Sequence, residues 1–142
     1  MGWHTRSATS INTRKLLLEH GGFLYDSNAY NDDLPYKVNF KNKSIIVIPY
    51  AFDTNDMRYE SNGGFVQSDD FFIYCKGAFD QLLFETKDEK LKMMSIGLHP
   101  RIIGRPGRIN GLKKLLDYIA NKENIWVAKR EEIAKFWAGL KL

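Results

Sequence analysis

Ser44-Ile45-Ile46-Val47-Ile48-Pro49 decides the fold class of this chain. The run is apolar at every central position and rich in β-branched residues, and a proline stops it. A strand with one wet face alternates; a strand apolar on both faces belongs to a parallel sheet covered on both sides. Working outward from it, Ser10 is the predicted N-cap of a helix through His20, with Leu16, Leu17 and Leu18 on its apolar side and Gly21-Gly22 as its stop. Phe23-Leu24-Tyr25 is a predicted buried strand ending at Asp26, and Asp26 to Asp33 is turn chemistry closed by Leu34-Pro35. Asp53 to Gln67 is expected to be a long polar loop. Asp69 is the predicted cap of a helix whose apolar residues Phe72, Cys75, Phe79 and Leu82 recur at helical spacing. After a charged turn at Lys87–Lys90, Met93 to Leu98 is a predicted strand. Gly107 to Lys122 is the next helix, with Ile109, Leu112, Leu116 and Ile119 as its stripe. Ile125-Trp126-Val127 is a short strand, and Glu131 to Leu140 a last helix carrying Ile133, Phe136, Trp137 and Leu140. Strands alternating with helices predict parallel βα units. A closed barrel of eight such units needs about 250 residues, and this chain supplies about half of one.

Composition narrows the function classes. A chain of 142 residues with 44% hydrophobic and 27% charged residues is expected to form one globular domain. The net charge of +4 is mild and the charges alternate in sign, so nucleic-acid binding is not implied. No apolar stretch approaches a membrane span, and no membrane partner is expected. The single cysteine, Cys75, excludes an internal disulfide, and a reducing cytoplasm is the expected compartment. Cys75 falls on an apolar helix face without a CxxC partner, which makes it a core residue.

The chemistry concentrates in Ser95-Ile96-Gly97-Leu98-His99-Pro100-Arg101-Ile102-Ile103-Gly104-Arg105-Pro106-Gly107-Arg108. A histidine directly after an apolar strand lies where parallel α/β proteins build their sites. There it can protonate a leaving amine or polarise a carbonyl, and the bland alternative is a structural histidine bonded to a loop. Gly104-Arg105-Pro106-Gly107-Arg108 opens a helix and can hold an anion, or can be a rigid connection with solvated arginines. It has neither the Walker lysine nor the dinucleotide glycine spacing. Asp26 likewise follows an apolar strand, so a parallel layout puts it on the same face as His99; taken alone, an Asx-turn in Asp26-Ser27-Asn28 explains it as well. Adjacent Asp32-Asp33 before a proline reads as a solvated turn. No His-x-x-x-His or His-Glu-x-x-His occurs, so no self-sufficient metal site is expected.

Four stretches in order carry a resemblance. They are Gly2-Trp3-His4-Thr5-Arg6 with Ser10-Ile11-Asn12-Thr13-Arg14; Tyr25-Asp26-Ser27-Asn28-Ala29-Tyr30-Asn31-Asp32-Asp33-Leu34-Pro35-Tyr36; Val47-Ile48-Pro49-Tyr50 with Asp53-Thr54-Asn55-Asp56-Met57-Arg58; and Gly97-Leu98-His99-Pro100-Arg101 with the arginine loop behind it. Together they resemble the polysaccharide deacetylase (NodB-homology) family, and its allantoinase-like branch most closely. The resemblance implies an α/β fold, a partial distorted (β/α) barrel with parallel strands alternating with helices, its site at the carboxyl ends of the strands. It implies hydrolysis of non-peptide carbon–nitrogen bonds, in an amide or an N-acetylated sugar. His99 matches the histidine proposed as general acid to the leaving nitrogen. Arg6 matches the arginine that braces the family's catalytic aspartate, and Asp26 with the Asp32-Asp33 turn matches the groove-lining loop. Catalytic roles are thus expected of His99, Arg6 and Asp26, and substrate contacts of Trp3, Tyr30, Asp33, Arg101 and Arg105.

The departures from the family pattern set the remaining expectations. The chain begins at the family's third motif, without the aspartate-rich first motif that supplies the base or the His-x-x-x-His second motif. His4 stands where the branch has an aromatic residue, and Asn28 and Lys37 replace the usual Asp and Trp. No cofactor is expected in this chain, and a divalent metal such as zinc only if an amino-terminal half completes it. The expectation is therefore a carboxyl-terminal portion that is inactive alone. Its partner would be a separate amino-terminal half, or a second copy through open barrel edges. The alternative is a non-catalytic module or relic, using Arg6, His99, Arg101 and Arg105 to hold a carboxylated ligand or a partner chain.

Overall fold

A computed structural model describes residues 1–6, 9–88 and 90–140. The chain divides into two compact units, one formed by Met1–Tyr50 with Val127–Leu142 and the other by Ala51–Trp126.

The first unit holds the sheet. Its elements are β1 (Gly2–Trp3), α1 (Thr13–His20), β2 (Tyr25–Asp26), β3 (Tyr36–Phe40), β4 (Lys43–Val47) and, later in the chain, α5 (Arg130–Gly139). The strand order is β1-β2-β4-β3, with β1–β2 and β2–β4 parallel and β3–β4 antiparallel. The apolar run that predicted a doubly covered strand is β4 and its continuation. Ile45, Ile46, Val47 and Ile48 are all buried, the last two completely, and each contributes roughly 2 kcal/mol of burial. Both α1 and α5 pack on β4, supplying Leu17, Leu18 and Ala134 to this core. Ser10 does not cap α1 directly. Its hydroxyl accepts from Asn12 N–H (3.1 Å) and its carbonyl from Thr13 N–H (3.0 Å), so it forms the turn that leads in.

The hairpin partner β3 was not predicted. Lys41 turns it with a φ of 52°, and Tyr36, Val38 and Phe40 are half-buried while Lys37 and Asn39 are exposed. That period of two is a strand signal, masked by the turn residues just before it. The predicted strand at Ile125–Val127 does not form. Trp126 and Val127 are exposed, and a strand without a pairing neighbour has no ladder to join.

The second unit is a helical pair with long connections. Its elements are α2 (Ser68–Glu85), α3 (Pro100–Ile103) and α4 (Ile109–Ala120). Gln67 and Asp70 form a capping box at the start of α2, in place of the predicted Asp69 cap. Phe65, Phe71, Cys75, Ile103 and Leu115 make its core. Gly111 lets α4 approach α2, since a Cβ there would run into the Ser68 carbonyl. Of the predicted stripe on α4, Leu112 and Ile119 pack against this core, whereas Leu116 is exposed and the unpredicted Leu115 is fully buried. The predicted charged turn at Lys87–Lys90 includes Glu89, outside the described residues; before it, Thr86–Asp88 is a 3-10 turn.

Two segments of this unit correct the sequence reading. Met93–Leu98 is not a strand; Gly97 alone bridges, in parallel, to Asn55. Conversely, 53–67 is not a solvated loop. Asp56–Glu60 is a 3-10 helix capped by the Asn55 side chain, and Thr54, Asn55 and Asp56 are buried polar residues. Among the described residues no helix is long and apolar enough to cross a membrane.

Candidate functional site

In the second unit the parallel bridge sets the geometry of the histidine. Gly97 N–H donates to the Thr54 carbonyl and Asp56 N–H to the Gly97 carbonyl, both at 3.0 Å. The Thr54 hydroxyl donates to the Ser95 carbonyl at 2.5 Å. This register brings Asp56, which is fully buried, beneath His99. One carboxylate oxygen accepts the backbone N–H groups of His99 (2.6 Å) and Ile103 (3.2 Å). The other lies 2.6 Å from His99 Nδ1. Pro100 starts α3 and favours the extended backbone seen at His99, with φ −120° and ψ 117°.

The chemistry follows from that pairing. The hydrogen between Asp56 and the ring lies at the Nδ1 side, because the carboxylate is the acceptor. Nε2 is then the working nitrogen, an acceptor when the ring is neutral and an acid when it is protonated. The side chain is 27% exposed, enough to meet a ligand while its rear is held. Asp56 was missed as a site residue. Its signal was present in Asp53-Thr54-Asn55-Asp56, but no local pattern shows that a carboxylate is buried against a histidine 43 residues away.

In the first unit the carboxyl ends of β1, β2 and β4 carry a second network. Asp26 is 1% exposed. Arg14 Nε donates to its Oδ2 at 2.9 Å, and Asn28 donates to Oδ1 from its backbone N–H (2.9 Å) and its amide (2.6 Å). The Asn28 side-chain oxygen accepts from Thr5 N–H at 2.7 Å. His4 Nδ1 lies 3.1 Å from the Ser27 carbonyl, and the His4 ring stacks on Tyr50 at 4.9 Å. Arg130, at the start of α5, reaches the Ser27 hydroxyl (3.0 Å) and the carbonyls of Ile48 (3.1 Å) and Pro49 (3.3 Å). Burial pulls its pKa down, against an opposing contribution from Tyr25 and Tyr50.

The predicted site residues fall out as follows. His99 has the geometry of an acid–base group. Asp26 is closed to solvent with both oxygens engaged internally, the geometry of a brace and an Asx-turn. Arg6 is exposed and, among the described residues, makes no hydrogen bond or ion pair; the arginine on a carboxylate here is Arg14. Trp3 and Tyr30 are 41% and 45% exposed. Trp3 Nε1–H donates to the Thr5 hydroxyl, and Tyr30 meets Tyr50 edge-on at 6.1 Å. Burial, then the neighbouring Tyr50, raise the Tyr30 pKa. Asp33 is exposed, and its neighbour Asp32 accepts from Leu34 N–H at 3.0 Å, closing the turn. Arg101 and Arg105 are exposed on and just after α3. Cys75 is fully buried, and desolvation pushes its thiol up to about 12.

The donor chemistry does not fit a bound zinc. Among the described residues no three His, Cys, Asp or Glu side chains come together to hold a metal. The Nδ1 atoms of His4 and His20 face backbone carbonyls and that of His99 faces Asp56.

No family model matches the chain. A Schizosaccharomyces pombe (strain 972) protein named "Putative polysaccharide deacetylase" is 44% identical over 150 residues, an alignment covering 96% of this chain and 47% of that protein. The crystal structure of Puue allantoinase superposes with a TM-score of 0.90 and 46% identity, over 99% of this chain and 46% of the other. The crystal structure of a probable polysaccharide deacetylase from Pseudomonas aeruginosa PAO1 gives a TM-score of 0.88 and 47% identity over 96% of this chain and 45% of that one. The chain spans about half the length of the relatives it matches.

Proposed function

Because the chain belongs to the polysaccharide deacetylase/allantoinase family, we propose that it supplies the proton-donating part of a hydrolase acting on non-peptide carbon–nitrogen bonds. The observation that carries this reading is the fully buried Asp56 carboxylate 2.6 Å from His99 Nδ1. When water has added to the amide carbon, the tetrahedral intermediate collapses as the carbon–nitrogen bond breaks. Protonated His99 gives its Nε2 proton to the departing nitrogen, and neutral imidazole remains. Asp56 stabilises the imidazolium beforehand and holds the ring orientation throughout. General-acid help of this kind is worth about 10²–10⁴-fold.

Attack by water needs a base, and we assign that base to the half of the relatives' length that this chain does not span. On this reading the open, mostly parallel sheet is part of a distorted (β/α) barrel, and the isolated chain does not turn over. On the same reading the substrate is a small amide or an N-acetylated sugar. The test is to assay the purified chain on allantoin and on N-acetylated glycans, with and without zinc, and then to repeat the assay with a co-expressed complementary half. Activity only in the second arrangement, lost with His99→Gln, is expected. Robust turnover by the chain alone, or full turnover in the His99→Gln complex, would contradict the proposal.

A further inference from the structure

The chain holds two Asn-Gly dipeptides, Asn62-Gly63 and Asn110-Gly111, and the second unit treats them in opposite ways. Asparagine before glycine is the least hindered pair for attack of the following backbone nitrogen on the side-chain amide carbon, because glycine puts no Cβ in the way. Asn62 and Gly63 are both exposed, in the turn 61–64 that Gly64 N–H closes by donating to the Ser61 carbonyl at 3.0 Å. Gly63 is its third residue, with a φ of 71° that favours glycine there. Among the described residues neither the Asn62 amide nor Gly63 N–H has a hydrogen-bond partner. At the other dipeptide Gly111 is buried in the first turn of α4, its N–H donates to the Arg108 carbonyl at 3.0 Å, and the Ser68 carbonyl lies against it. Rotating that peptide would break the start of α4 and its contact with α2.

We propose that Asn62 is a modification site, deamidating spontaneously in the folded chain to an isoaspartate that is a substrate for carboxyl methylation. The Gly63 nitrogen bonds to Asn62 Cγ as the Cγ–Nδ2 bond breaks, and the Gly63 hydrogen leaves with the amide as ammonia. Water then opens the imide. Addition at the side-chain carbonyl gives aspartate; addition at the backbone carbonyl of residue 62 gives isoaspartate, whose freed α-carboxylate takes a methyl group from a sulfonium donor, leaving a thioether. The isoaspartyl backbone is longer by one carbon, and this turn has no slack for it. Ser61 and Phe65 N–H both donate to the Arg58 carbonyl, at 3.4 and 3.0 Å, and a Cβ on Gly64 would already run into that carbonyl. Phe65 shares its core with Cys75, so isoaspartate at 62 loosens that core. The site does not rest on His99 or on the proposed hydrolysis.

The test is to age the folded full chain in mildly alkaline buffer, beside a sample unfolded in urea, and to map its peptides by mass spectrometry. In the folded chain Asn62 is expected to convert about tenfold faster than Asn110, the worth of the hydrogen bond that Gly111 must give up. In urea the two rates should converge. The aged chain should accept labelled methyl groups from an isoaspartyl methyltransferase, and its buried Cys75 should react with a thiol reagent faster than in the fresh chain. Asn62→Gln should abolish both changes. Fresh Asn62→Asp, which adds the charge without the extra backbone carbon, should keep the fresh rate of Cys75 labelling. Equal rates at Asn62 and Asn110 in the folded chain, an Asn62 that reacts only after unfolding, or methylation undiminished in Asn62→Gln would overturn the inference. Cys75 labelling unchanged by ageing would overturn the loosening of the core.

Discussion

Two buried aspartates, one in each unit, show how the same side chain takes opposite jobs. Asp26 and Asp56 are 1% and 0% exposed, and each receives three hydrogen bonds. Around Asp26 the donors are a guanidinium and both nitrogens of one asparagine, within 14 residues of chain, and the network ends in backbone. Around Asp56 one donor is an imidazole whose far nitrogen reaches the surface. Both partners are partly exposed, Arg14 at 33% and His99 at 27%, but the imidazole can give up and take back a proton whereas the guanidinium stays charged. Burial and hydrogen bonding alone do not mark a catalytic group; what matters is whether the partner can exchange a proton.

The largest effect should come from removing the carboxylate behind the imidazole. Asp56→Ala leaves two backbone N–H groups and the imidazole without an acceptor, and should destabilise the second unit by about 3 kcal/mol or more. Cys75 provides the readout, because a buried thiol with its pKa near 12 labels only when the unit opens. Faster labelling is expected, and an unchanged rate would break the comparison. Arg14→Ala should cost the first unit less, about 2 kcal/mol by urea denaturation, since Asn28 still donates twice to Asp26. A larger loss than in Asp56→Ala would reverse the ranking. Gly111→Ala pushes a Cβ into the Ser68 carbonyl and should lower stability by about 1–2 kcal/mol, again seen as faster Cys75 labelling.

Acid gives the smallest effect. The backbone N–H groups of Gln67 and Val66 hold the Asp70 carboxyl below its ordinary value of 3.8. Its folded pKa is depressed, so its stabilising contribution is present above that ordinary value and fades as pH falls through the folded one. The urea midpoint of the second unit should therefore drop below about pH 4, and Asp70→Asn should flatten the slope. A midpoint that rises on acidification would contradict the sign.

Sequence pattern was informative where the cause is local. β4 was legible because four consecutive residues are apolar, and α2, α4 and α5 because their apolar positions repeat helically. Asp26-Ser27-Asn28 was correctly weighed as an Asx-turn, a contact spanning two residues. The misses lie where partners are distant. Asp56 looked like loop because its partners are His99 and Ile103, and Met93–Leu98 looked like strand because composition cannot supply a pairing neighbour. Arg14 was passed over because nothing local shows that its guanidinium turns toward Asp26, 12 residues away.

Asp56 fixes the proton of the neutral His99 ring on Nδ1 and leaves Nε2 to do chemistry. Nitrogen-15 NMR of the His99 ring tests it directly on the isolated chain, with Asp56→Asn as the reference. When the ring is neutral, its hydrogen should sit on Nδ1 in the wild-type chain, with that preference lost in Asp56→Asn. A wild-type ring protonated at Nε2, with Nδ1 bare, would contradict it.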